Sequence, residues 1–333
     1  MTTSLPLASA LFATFSLTLY VLLDGFDLGV GALLLIQSDE TQRDRMVDAI
    51  MPTWDGNETW LIMAGVTLLA AFPIAYGVLL PAFYLPLIAM LLALGLRGVS
   101  FEFRYQAHRD RRFWDRLFGV GSVVAALAQG LIVGGLLQGV DVADGERFAG
   151  SVFDIFQPFA LLTALSVLVG YTVLGAGWLH LKGIGPLRTF SEGVLRRATP
   201  VFVVLAAAVC VAAARIQPGV RAIWSAQEVP LIVIVALFLI VAAVLMRVIG
   251  LRPDGRPFFL GLALFALGVA GLGITIFPDI VPFRLSLWAA ASSTLSHVFL
   301  LAGAVVVTPV VLAYSAFSYR VFRGKTPAEG WGG

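Results

Sequence analysis

Apolar residues gather in nine stretches along the 333-residue chain, near 8–36, 56–76, 79–104, 117–139, 157–181, 195–215, 227–249, 257–277 and 289–319, with short polar, arginine-bearing segments between them. Each stretch is about as long as, or longer than, the roughly 20 residues that cross about 30 Å of hydrocarbon as a helix. The pattern predicts an all-α integral membrane protein of about nine transmembrane helices, a single polytopic domain over 1–333. The first stretch has no Lys or Arg before Arg43 and is too long for the core of a secretory signal, so it reads as a retained span.

Composition agrees with lipid as the main solvent. Hydrophobic residues make up 59% and charged residues 13%, where a soluble domain carries nearer a quarter charged. The net charge of +2 comes from residues spread over several loops, so their placement is topological and no nucleic-acid partner is expected. The loops of one side hold 17 of the 22 Lys and Arg, those of the other side hold four, and Arg97 lies within the third stretch. By the positive-inside rule the N-terminus faces outward and the C-terminus the cytoplasm. Cys210, the one cysteine, sits in an apolar run and reads as an inert buried thiol.

The segment Leu28-Gly29-Val30-Gly31-Ala32-Leu33 has an echo in Leu174-Gly175-Ala176-Gly177-Trp178-Leu179, four stretches later. Two four-helix repeats, over 1–140 and 150–280, plus a ninth helix would account for it. So would the recurrence of small residues wherever membrane helices pack closely.

Ionisable groups inside the bilayer carry most of the chemical information, because each costs about 2.5–3.5 kcal/mol on insertion scales unless paired or hydrated. Asp24 and Asp27 are three residues apart in the first stretch and therefore share a helix face. They lie about 14–18 Å above its inner end, and Arg97 lies about 10 Å inside the same end of the third. Glu102 follows Arg97 toward the interface. A buried Asp–Arg cluster is expected, and it fits two readings: an ion-paired staple that fixes helix packing, or a relay in which two close carboxylates beside an arginine exchange a proton. Pro52-Thr53-Trp54-Asp55-Gly56-Asn57-Glu58-Thr59-Trp60 opens the second stretch on the same side. Asp55 as N-cap with Glu58 three residues later has the form of a capping box, and Trp54 suits an interface. The same residues also suit the water-facing mouth of a relay running from Asp55 to Asp27 and Asp24.

Three histidines limit other chemistry. His108 falls in a basic loop and His180 near the inner end of the fifth stretch. His297, in the ninth, is the only plausible buried donor or ligand, and with no second ligand in view it reads as a hydrogen-bonded packing residue. No metal site is expected, nor any haem held wholly by this chain.

Three motifs, Leu23-Asp24-Gly25-Phe26-Asp27-Leu28-Gly29-Val30-Gly31, Pro52 to Leu61, and Leu96-Arg97-Gly98-Val99-Ser100-Phe101-Glu102-Phe103-Arg104, resemble subunit II of the cytochrome bd-type, or cyanide-insensitive, quinol oxidases. They occur in order with family spacing over roughly the first 110 residues. The resemblance implies a bacterial inner-membrane heterodimer in which subunit I carries two haems b, one haem d and the quinol site, and this chain is its haem-free companion. The complex would oxidise quinol and reduce O2 to water with protons from the cytoplasm. A structural quinone and a small single-helix accessory subunit are further implications, though no residue here identifies a quinone site. A proton-coupled secondary transporter is the alternative, since it too uses mid-membrane carboxylates; against it, no matched pair of broken helices divides the two halves.

Overall fold

A computed structural model describes residues 4–107, 110–143, 147–251 and 254–326. His108 lies outside the described residues. The chain is a bundle of long helices: α1 (Ser4–Leu34), α2 (Glu40–Ile50), α3 (Trp54–Ala71), α4 (Pro73–Ala82), α5 (Tyr84–Gln106), α6 (Arg111–Gln138), α7 (Pro158–Lys182), α8 (Gly185–Ile216), α9 (Pro218–Ala226), α10 (Glu228–Val248), α11 (Arg256–Ile276) and α12 (Thr294–Val321). Two antiparallel hairpins complete it, β1 (Val142–Ala143) with β2 (Arg147–Phe148), and β3 (Asp279–Val281) with β4 (Leu285–Ser286).

Among the described residues eight helices are long and apolar enough to cross a membrane, one fewer than the nine expected stretches. The difference lies at 56–76. There α3 begins with a polar turn, the helix breaks at Phe72 where Pro73 follows, and α4 carries the chain onward. Proline has no N–H to give and cannot continue the hydrogen-bond ladder, so the break falls there. The segment 40–50, expected as a loop, is a helix whose Asp39 side chain caps the N–H of Gln42 and whose Met46, Val47, Ala49 and Ile50 are buried.

α1 runs through the middle, packed by α3, α6 and α7. Every residue from Asp24 to Gly31 is buried, because glycines let neighbouring backbones close in on all sides. A Cβ at Gly29 would overlap the carbonyl oxygen of Tyr171 on α7, and one at Gly175 would overlap the backbone of Gly29 and Val30. The two echoing segments thus pack directly on one another through their small residues. Cys210 is exposed rather than buried. It lies on α8, where Val204 and Val211 are also exposed: an apolar run on a peripheral membrane helix faces lipid, not a protein core.

Candidate functional site

The last three turns of α1, the first two turns of α3 and the second half of α5 bring together the charges that the sequence singles out. Asp24, Asp27 and Arg97 are all fully buried. Arg97 Nη2 donates to Asp24 Oδ1 at 2.6 Å and to Glu58 Oε1 at 2.5 Å, so one guanidinium ties α5 to α1 and α3. Glu58 keeps 25% of its side chain exposed and is the cluster's one open carboxylate. Asp27 does not reach Arg97 as a hydrogen-bond partner. Its Oδ2 accepts instead from the Asn57 amide at 2.8 Å, and that amide also donates to Leu23 O at 3.3 Å. Tyr319, near the end of α12, donates to Asn57 Oδ1 at 3.0 Å.

Three carboxylates therefore surround one guanidinium. The cluster is short of positive charge, and it is also incompletely bonded: Asp24 Oδ2, Asp27 Oδ1 and Arg97 Nε and Nη1 are buried without a hydrogen-bond partner. Buried polar groups are normally satisfied, and the Tyr20 hydroxyl, one turn back along α1, is a further hydrogen-bond partner of Asp24.

Two expected members stand apart. Asp55 is exposed at the second position of α3 and Glu102 is exposed on α5; neither joins the ion pairs. The expected capping box is absent as well. Thr53 is the N-cap, with no side-chain bond to the helix, and Glu58 turns to Arg97 instead of back to the helix start. A charge-assisted bond to a buried guanidinium is stronger than a bond to an exposed backbone N–H. Trp54 packs on Phe101 of α5 with ring centroids 5.2 Å apart.

Several polar residues escaped the sequence reading. Asn57 lies inside the second motif between two acids that drew attention first. Tyr20, Gln129 and Tyr171 form a buried chain one turn along α1 from Asp24: Tyr171 donates to Gln129 Oε1 at 2.6 Å and Gln129 Nε2 donates to the Tyr20 oxygen at 2.8 Å. An amide alone in an apolar run, as Gln129 is, was open to the same cost argument as the aspartates. Arg43 and Arg104, counted as loop charges, are instead buried on either side of Asp115, at 2.8 and 2.5 Å, and Arg104 also holds Asp44 at 2.6 Å.

Between the start of α3 and the end of α12 lies a small polar crevice lined by residues that include Thr53, Gly56, Asn57, Ser315, Ser318 and Tyr319. Ser318 donates to Pro52 O at 2.9 Å across it.

Comparison with known proteins gives one consistent family. Residues 5–322 match the family model described as cytochrome bd terminal oxidase subunit II. The chain is 32% identical to the probable cytochrome oxidase subunit 2 of Haemophilus influenzae, over 92% of this chain and 91% of that one. It is 29% identical to the cytochrome bd-I ubiquinol oxidase subunit 2 of Escherichia coli K12, over 93% and 92%, and 28% identical to the cytochrome bd ubiquinol oxidase subunit 2 of Bacillus subtilis, over 92% of each. Its fold is that of a chain in the bd oxidase of Geobacillus thermodenitrificans, with a TM-score of 0.79 over 96% of this chain and 99% of that one at 14% identity. With a family model spanning nearly its whole length, the chain belongs to the cytochrome bd terminal oxidase subunit II family.

Proposed function

We propose that this chain is the haem-free subunit II of a heterodimeric quinol oxidase that reduces O2 to water, and that its buried cluster moves protons from the cytoplasm toward the haems of subunit I. The family and the relatives named as ubiquinol oxidase subunits support the complex. The observation that carries the proton role is the cluster's imbalance: Asp24, Asp27 and Glu58 share the single guanidinium of Arg97, with four buried polar atoms unbonded. A staple is most stable when its charges match and every atom is bonded. A relay needs a spare proton site and a partner to pass it to. Glu58, the open carboxylate, is the entry; Asp24 and Asp27 lie behind it. With the basic loops in the cytoplasm by the positive-inside rule, that entry faces the side from which the protons are drawn.

Among the described residues, neither histidine fits an axial haem ligand. An axial histidine needs a ring nitrogen directed at space that can take the macrocycle, but His297 is 1% exposed, shares a hydrogen bond of 2.8 Å with Ser9 and packs edge-on against Phe72. His180 is fully buried at the end of α7, 3.7 Å from Glu192. The haems b and d are therefore assigned to subunit I, which would also bind the quinol. A transporter would work without that partner.

Asp24→Asn in the purified heterodimer is the test. It keeps the shape and one acceptor for Arg97 but cannot hold a proton. Quinol-driven O2 consumption should fall by about a hundredfold, the scale of a lost acid–base group, with the haem spectrum intact. Loss of haem with the activity would make the cluster an assembly staple, and unchanged turnover would remove it from the proton path.

A further inference from the structure

The crevice at the α3–α12 junction has no place in the route through Glu58, yet it ends on the same carboxylates. Its volume is about 10 Å3 for the centre of a water molecule, enough for one water provided that polar partners surround it. They do: Thr53, Asn57, Ser315, Ser318 and Tyr319 all line it. The Tyr319 hydroxyl gives its proton to Asn57 Oδ1 at 3.0 Å and also bonds the Thr53 side chain, which leaves one lone pair of its oxygen to accept from a guest in the crevice. On the other side of Asn57 lies Asp27, its Oδ2 bonded to the same amide at 2.8 Å and its Oδ1 buried and unbonded.

We propose that this crevice is a one-water port through which Asp27 exchanges its proton with the medium beyond this chain, with Asn57 as the gate. An amide holds its protons at any ordinary pH, so in the observed position Asn57 separates the port from the carboxylate instead of conducting between them. Rotation of its side chain lets the water bond Asp27 directly. A proton then leaves the water's hydronium form for the Asp27 carboxylate, or makes the reverse step, and no other bond forms or breaks. The port is uncharged, unlike the Glu58 side, where a proton must pass the guanidinium of Arg97.

This inference rests on the proposed proton role, and the test separates the two. Filling the crevice from α12 by Ser315→Leu should lower quinol-driven O2 consumption of the heterodimer about tenfold with its haem spectrum intact, while Gly65→Ala, away from the crevice and with nothing within 4 Å of the new carbon, should match the parent. If Ser315→Leu turns over at the parental rate while Asp24→Asn and Asp27→Asn are slow, the port is overturned and the relay stands. If all three match the parent, the relay falls and the port with it. Should Ser315→Leu lose haem, Tyr319→Phe decides, since it removes one hydroxyl and no volume. An infrared carboxyl band that Asp27→Asn removes should exchange its hydrogen for deuterium about tenfold more slowly in Tyr319→Phe; an unchanged exchange rate overturns the port.

Discussion

Asp115 is the sharpest place to test how the charged end of the bundle is held. Its carboxylate is 3% exposed and lies between Arg43, at 2.8 Å from Oδ2, and Arg104, at 2.5 Å from Oδ1. Asp115→Asn keeps the shape but leaves two buried guanidiniums facing a neutral amide. Breaking a buried pair by removing one partner costs about 3–5 kcal/mol. The lower end applies here, because Arg43 keeps the carbonyls of Gln37 and Ser38 at 3.2 and 2.9 Å, and Arg104 keeps Asp44 at 2.6 Å. The link that fails is the one from α2 to α5 and α6, so the expected event is local opening of α2. A cost of about 3 kcal/mol corresponds to roughly a hundredfold loss of protection. Hydrogen exchange of the α2 amides, followed by mass spectrometry on the heterodimer in detergent, reads it directly. Asp44→Asn is the control. Asp44 bonds the same Arg104 but is 34% exposed, and an exposed pair is worth under about 1 kcal/mol, so protection should drop less than about fivefold. Equal losses in the two variants, or less than about a threefold loss in Asp115→Asn, would refute the argument that burial sets the value of these pairs.

Gly29→Ala places a methyl group against the Tyr171 carbonyl and should cost about 1–3 kcal/mol of overpacking, read as a lower melting temperature of the heterodimer; Gly65→Ala, with nothing within 4 Å of the new carbon, should match the parent. Asp48 gives a pH test. Burial, only partly offset by the Tyr105 hydroxyl at 2.9 Å and by Arg104, holds its carboxyl above the usual range. The folded protein then binds more protons than the unfolded one between about pH 3.9 and the raised value, so this contribution is fully present below about 3.9 and is lost as pH rises through the folded value. Melting curves of the heterodimer from pH 4 to 7 should show that decline, and Asp48→Asn should flatten it.

The long helices were legible because their signal is one-dimensional: twenty apolar residues need no partner to identify them as a span. α2 was not, because its apolar residues Met46, Val47, Ala49 and Ile50 are too few to announce a helix among Gln42, Arg43, Asp44, Arg45 and Asp48. They are buried only because the inner ends of α1 and α7 form a floor for them, with Trp178 Nε1 donating to Ala49 O at 2.9 Å. The site divided in the same way. Asp24, Asp27 and Arg97 stood out because a charge in an apolar run is costly wherever it points. Asn57 and Tyr319 became part of the site only when α12, more than 260 positions later, returned to the start of α3. Asp55 and Glu102 satisfied the same local rule, but both side chains are exposed on this chain and neither forms an ion pair with Arg97.

Arg97 and Arg104 bear on the choice between staple and relay, because α5 supplies both arginines from one face, seven residues apart. Arg104 works as a staple should. It shares Asp115 with Arg43, takes Asp44 as a second partner, and leaves neither Asp115 oxygen unbonded. Arg97, two turns deeper, faces three carboxylates, uses a single nitrogen for two of them, and leaves Nε and Nη1 and an oxygen on each aspartate unbonded. The same helix, side chain and neighbouring acids could have produced a second closed network there. Depth works against the open one, since an unbonded polar group costs more the further it lies from water. A cluster kept open at the deeper of two equivalent positions is the feature that favours the proposed relay over a staple.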